Sequence, residues 1–156
     1  MRIWRIADQR HPIWDGTGAA LMGGRWNSPG RPVIYGALSF AGAMLEVLVH
    51  SNIGRVPATQ CCVEVEVPDA VPVEKLDIAA LPPGWDAPSS IEAQRLGDQW
   101  LQEGRSAVLL VPSVVARLEW NALVNPHHPA AVRLRPSQPQ PVIWDRRLFE
   151  RPLGSG

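Results

Sequence analysis

The 156-residue chain is 46% hydrophobic and 19% charged, a globular composition that excludes a disordered chain. Lys plus Arg balances Asp plus Glu at 15 each, so gross charge gives no pull toward nucleic acid or an anionic membrane. No apolar run approaches the ~18 residues that a bilayer span needs, and "MRIWRIADQR" lacks the apolar core of a signal peptide, so a cytoplasmic protein is expected.

The length suits one domain, read as residues 1–150, with "RPLGSG" at 151–156 expected to be an appended remnant. Residues 2–7 read as a first strand. Residues 8–31 hold Gly16, Gly18, Gly23, Gly24 and Gly30 with Pro12 and Pro29, and read as loop. "PVIYGA", 32–37, reads as a strand. Ser39 is then the expected cap of a helix over about 40–50, with Phe40, Met44, Leu45, Leu48 and Val49 as its core stripe. "QCCVEVEV", 60–67, alternates as a half-buried strand, with Glu64 and Glu66 toward solvent. Its adjacent Cys61 and Cys62 point to opposite faces, which favours two reduced thiols over a bridge.

Further along, "LPPGWDAP" at 81–88 is an extended connector. Ser89 with Glu92 fits a capping box that opens a helix to about Glu103, stopped by Gly104, with Leu96, Trp100 and Leu101 buried. "SAVLLVP", 106–112, reads as a central strand, and "AAVRLR" and "PVIWD", at 130–135 and 141–145, as two late strands. The fold class expected is α+β: a single domain with a small, mostly antiparallel or mixed sheet and a few helices.

One carboxylate stands out. Glu46 is the sole Asp or Glu between Asp15 and Glu64, and on a helix its neighbours are Gly42, Ala43, Val49 and His50. A carboxylate in such surroundings needs a partner or a raised pKa, so it is either a catalytic group or half of a structural pair, Arg25 being the nearest candidate partner. Arg25 lies in "GGRWN", where glycines let backbone approach a ligand and the guanidinium fork suits phosphate; the competing reading is a solvated turn arginine. Tyr35 offers either core packing or a ring to stack on a heterocycle. Ser113, at the end of the central strand, reads as a turn serine or a hydroxyl reaching a cleft. Asn125, His127 and His128 in "NPHHP" carry no third ligand at metal spacing, so no metal site is expected. P-loop, dinucleotide-fold glycine, nucleophile-elbow and H-E-x-x-H signatures are absent from the sequence.

"WRIAD", then "GGRWNSPGRPVIYGALSFAGAMLEVLVH", then "LLVPSVVARLEWNALVNPHHP" resembles the RES domain family in content, order and spacing, from about Arg2 to Asp145. The family is named for an arginine, a glutamate and a serine, here Arg25, Glu46 and Ser113. The resemblance implies a toxin of a bacterial toxin–antitoxin pair with a fold like the ADP-ribosyltransferase toxins. It implies NAD as substrate rather than bound cofactor, cleaved by hydrolysis or phosphorolysis, or else used to ADP-ribosylate a protein; the remaining alternative is a non-catalytic NAD-binding or antitoxin-binding module. The acid two residues before the glutamate in many arginine-directed transferases is replaced by Met44, which disfavours an arginine acceptor. The implied partner is an Xre-type helix-turn-helix antitoxin that blocks the cleft, with a short apolar or acidic segment reaching Arg25; no direct nucleic acid or membrane contact is implied. By family position, Glu46, Arg25 and Tyr35 are the expected catalytic set. Arg5, Arg25, Tyr35, Ser113 and Asn125 are the expected NAD contacts.

Overall fold

The computed structural model describes residues 1–51 and 57–150; the expected tail at 151–156 lies outside the described residues. Its elements in chain order are β1 (Arg2–Asp8), α1 (Thr17–Met22), β2 (Ile34–Ala37), α2 (Phe40–Ser51), β3 (Gln60–Glu66), β4 (Val73–Lys75), α3 (Ile91–Glu103), β5 (Val108–Pro112), β6 (Trp120–Val124), β7 (Arg135–Pro136) and β8 (Gln140–Pro141). The strands form one 8-stranded sheet in the order β4-β5-β6-β2-β1-β3-β7, with β8 also on β3. β4 and β5 run parallel, joined through α3, and the other pairs are antiparallel. The sheet is therefore mixed and mostly antiparallel, in an α+β fold as expected.

Strand alternation divides the core in two. On one face Ile3, Ile34, Val63, Val65, Leu110, Ala122 and Val124 are buried together. On the other, Leu109, Val111 and Leu123 pack against Trp26, Val33, Ala93 and Trp100, which brings α3 and the glycine loop together. Buried Trp100 donates from its indole N–H to Ser106 Oγ at 2.8 Å, and that hydroxyl donates to the Val108 carbonyl at 3.0 Å, so the polar handle of a core tryptophan is satisfied. Cys61 and Cys62 are both buried and unbridged. Burial, with the nearby charge of Glu64, pushes the Cys62 thiol up to about 11.

Several expectations change. The loop expected over 8–31 contains α1, a short helix without a side-chain cap. Ser39 does cap α2, accepting the Gly42 N–H at 3.0 Å, but the helix buries a different face. Ala43 is buried and Met44 and Leu48 are half-buried, while Phe40, Leu45 and Val49 of the expected stripe are exposed, so the buried face of α2 centres on Ala43. The cap of α3 is Ser90, accepting from Ala93 N–H at 3.0 Å, one residue beyond Ser89, so Glu92 does not complete a box. Trp100 is buried as expected, and Leu96 and Leu101 are partly so. β4 and β6 were unassigned in sequence. The two late strands shrink to the two-residue β7 and β8, since a 3₁₀ turn at Pro129–Arg133 takes most of 130–135 and prolines interrupt the ladder.

Candidate active site

The glycine loop between α1 and β2 is built around one side chain. Asn27 is fully buried, and its Nδ2 donates to the carbonyls of Ala19 (2.8 Å), Arg31 (2.9 Å) and Ser28 (3.3 Å). Its Oδ1 accepts the Tyr35 hydroxyl at 2.6 Å, and that hydroxyl in turn accepts the Trp26 N–H at 3.1 Å. Gly24 is required beside this pair: a Cβ there would lie 2.5 Å from the Tyr35 oxygen. From the other side α3 clamps the loop. Gln94 donates to the carbonyls of Gly24 and Asn27, and Asp98 accepts from the Ser28 N–H and hydroxyl. Gly97 lets the helix backbone meet the Trp26 carbonyl directly.

That frame fixes Arg25. Its Nη1 donates to the carbonyls of Ala87 (2.6 Å) and Trp85 (3.2 Å), and among the described residues no hydrogen bond engages Nε or Nη2, the other two corners of the fork. Arg25 and Glu46 do not form an ion pair in the structure.

Glu46 is instead held by neutral donors. Its Oε1 accepts from Asn121 Nδ2 at 2.7 Å and from Ser113 Oγ at 2.9 Å, while His50 Nε2 stands 3.4 Å from Oε2. The Glu46 side chain is 23% exposed and that of His50 78%. Burial pushes the Glu46 carboxyl upward, but the hydrogen bonds from His50, Asn121 and Ser113 outweigh it and leave it below the ordinary glutamate value. The same contact raises His50, against the opposing effect of its partial burial. Glu46 is therefore ionised at neutral pH, and two of its three partners carry no charge.

A cavity of about 750 Å³ runs between α2, the pocket face of β1 and the glycine loop, a size within the range of small-molecule sites. Trp4, Arg25, Tyr35, Glu46, His50 and Asn121 all line it. Arg5 lines it too, but its guanidinium donates to the carbonyls of Ile13 (2.5 Å), Tyr35 (2.8 Å) and Asp15 (3.3 Å), so it ties β1 to the following loop. Burial pushes the Tyr35 hydroxyl up to about 12, so it stays protonated, with its proton engaged by Asn27. Ser113 is 2% exposed and does not line the cavity; it reaches the site through Glu46 and also caps the turn by accepting from Ala116 N–H. Asn125 sits at the far end of β6 from Asn121, in a second cavity of about 360 Å³ with Arg31, His127 and His128. Among the described residues there is no group of three or more His, Cys, Asp or Glu placed to hold a metal ion.

The structure thus gathers Arg25, Tyr35, Glu46 and Ser113, and separates Asn125 from them. Asn121, His50 and Asn27 were not singled out as site residues by sequence reasoning. His50 was legible as the i+4 neighbour of Glu46. Asn121 was legible only once β6 is recognised, because in "WNALV" it shares the inward phase with Leu123.

Comparison with known proteins places the chain in a family. The RES domain matches residues 2–145. The chain is 42% identical over 157 aligned residues to the "Prs ADP-ribosylating toxin" of a Sphingobium species, covering 96% of this chain and 97% of that one. It is 38% identical to a "Toxin Res" of Pseudomonas putida over 96% of this chain and all of the other. Among solved structures it is similar to one from the crystal structure of the M. tuberculosis MbcT–MbcA toxin–antitoxin complex, with a TM-score of 0.72 and 19% identity over 89% of this chain and 82% of that one. The chain belongs to the RES domain family.

Proposed function

We propose that this RES-family chain is the toxin of a toxin–antitoxin pair and acts on NAD, breaking the bond between nicotinamide and ribose. The observation that carries the reading is the Glu46 carboxylate, kept ionised on the wall of a cleft of about 750 Å³. In NAD the nicotinamide nitrogen is cationic, so the C–N bond breaks with its electron pair passing to the ring, and the leaving group departs neutral. No acid is needed to protonate it, whereas an O-glycoside cleavage ordinarily takes two carboxyl groups. Positive charge then grows on the ribose, and Glu46 faces it from a largely apolar setting where the attraction exceeds its value in water.

The other residues fall into supporting roles. In this reading Nε and Nη2 of Arg25 hold the pyrophosphate, and Tyr35 packs beside the nicotinamide–ribose end. Ser113 acts on the substrate through Glu46. The ribosyl cation is captured by water or phosphate, whose proton is lost on attack. A second reading, transfer of ADP-ribose to a protein, is favoured by one observation: the 42% identical relative carries the name of an ADP-ribosylating toxin. The partner is an antitoxin, in keeping with the similar solved structure being one of a toxin–antitoxin complex; in this reading it is of Xre type and occludes the cleft.

Purified protein incubated with NAD, with and without phosphate, tests the reading. Nicotinamide release is the expected result, and dependence on phosphate identifies that acceptor. Release that requires cell extract, with label from NAD on one protein, selects the transferase. No release in either setting would contradict NAD as substrate.

A further inference from the structure

We propose that Asn121 is a positioning residue: with the Ser113 hydroxyl, its side-chain amide fixes Oε1 of Glu46, so that Oε2 is the oxygen presented to the substrate. The inference rests on Glu46 acting in the reaction proposed above.

The two carboxylate oxygens are not equivalent. Oε1 takes the bonds from Asn121 and Ser113, both from the sheet side of the cleft. Among the described residues, Oε2 meets the imidazole of His50, which is 78% exposed on the last turn of α2. A surface side chain at 3.4 Å gives way to a ligand at little cost, whereas the donors on Oε1 cannot move with comparable ease. Ser113 is buried and bound at both ends, as donor to Glu46 and acceptor from Ala116 N–H. Asn121 stands on an interior strand, opposite Val111 on one side and Ala37 on the other, so its backbone is fixed by ladders on both edges.

The amide orientation follows from chemistry. A carboxylate only accepts hydrogen bonds, so the group 2.7 Å from it must be the NH₂ end of Asn121. The choice of an amide also matters electrically. An arginine in that position would hold Glu46 but cancel its charge, and an aspartate would repel it. A neutral donor fixes the geometry and leaves the full negative charge for the cation developing on the ribose. The residue also occupies an inward phase shared with Leu123, where an apolar side chain would otherwise fill the core.

Two substitutions separate positioning from plain stability. Asn121→Ala is expected to lower kcat for nicotinamide release about 10- to 100-fold, as loss of a hydrogen bond to a charged group implies, with KM for NAD within about twofold. Asn121→Asp keeps the shape but adds a like charge, so the Glu46 carboxyl should titrate at higher pH, and the acid limb of kcat should follow it. The titration is read by NMR on ¹³C-glutamate-labelled protein, the Glu46 signal being assigned by its loss in Glu46→Gln. An unmoved Glu46 titration in Asn121→Asp overturns the proposal, as does Asn121→Ala with kcat within about twofold of wild type. Should wild-type protein release no nicotinamide, the reading of the reaction fails. The titration then still decides whether Asn121 governs the carboxylate: a rise retains the contact, and no change refutes it.

Discussion

Gly97→Ala is a test of how the Arg25 loop is held. The added Cβ would lie 1.7 Å from the Trp26 carbonyl oxygen, 2.7 Å from its carbon and 3.0 Å from the Trp26 Cβ. The first two are backbone atoms, so no side-chain rotation relieves the clash; α3 and the loop must separate. Overpacking of this severity costs about 3 kcal/mol. Against it stands a gain of about 1 kcal/mol from replacing glycine inside a helix. The net loss of about 2 kcal/mol corresponds to about 4–8 °C in Tm for a chain of this length. Separation also strains the Gln94 and Asp98 contacts to the loop, and with them the placement of Arg25. Thermal unfolding by circular dichroism and NAD cleavage at a temperature where both proteins are folded give the two readouts. A variant as stable as wild type, or more stable, with normal cleavage would refute the close packing of α3 on Trp26.

Two other expectations concern the polar groups. Asn27→Ala should cost about 3 kcal/mol or more in urea unfolding, because it strips partners from the Tyr35 hydroxyl and from buried carbonyls; Asn27→Asp should be at least as damaging, since it turns an oxygen toward those carbonyls. The Glu46–His50 pair should leave a mark on stability against pH. Glu46 is lowered on folding, so its contribution is present above its ordinary value of 4.5 and is lost as pH falls through the lower folded value. His50 is raised, so its contribution is present below 6.5 and is lost as pH rises through the higher folded value. His50→Asn should therefore lower the unfolding free energy most between those two values, by less than about 1 kcal/mol for so exposed a side chain. An equal deficit at pH 5.5 and at a pH well above the histidine range would contradict the assignment.

What was legible in the sequence is what depends on local pattern. The alternation at 60–67, the glycine after α3 and the serine before α2 each reflect short-range rules, and the α+β class with a mixed sheet followed from short strands with helices between them. The oddity of Glu46 was also visible, as an acid among small and apolar neighbours. Its partners on the sheet side were not, because Ser113 and Asn121 lie 67 and 75 residues away in sequence, and the β5–β6–β2 pairing brings them to α2. The buried face of α2 was misread for a related reason. Leu45 and Val49 satisfy a helical period, but the face of α2 that is buried centres on Ala43 and leaves both exposed. Arg5 and Arg25 look alike in sequence, and the carbonyls that engage each belong to segments that no spacing rule connects to them.

The central claim is that Glu46 carries the chemistry rather than the binding. Glu46→Gln keeps the side chain's shape and can still accept from Ser113 and Asn121, while removing the charge. Its NAD affinity, by calorimetry, and its nicotinamide release, by chromatography, should be measured beside wild type on one preparation. The account predicts binding within a few-fold and release reduced by about 10²-fold or more. Undiminished release with binding intact would contradict it.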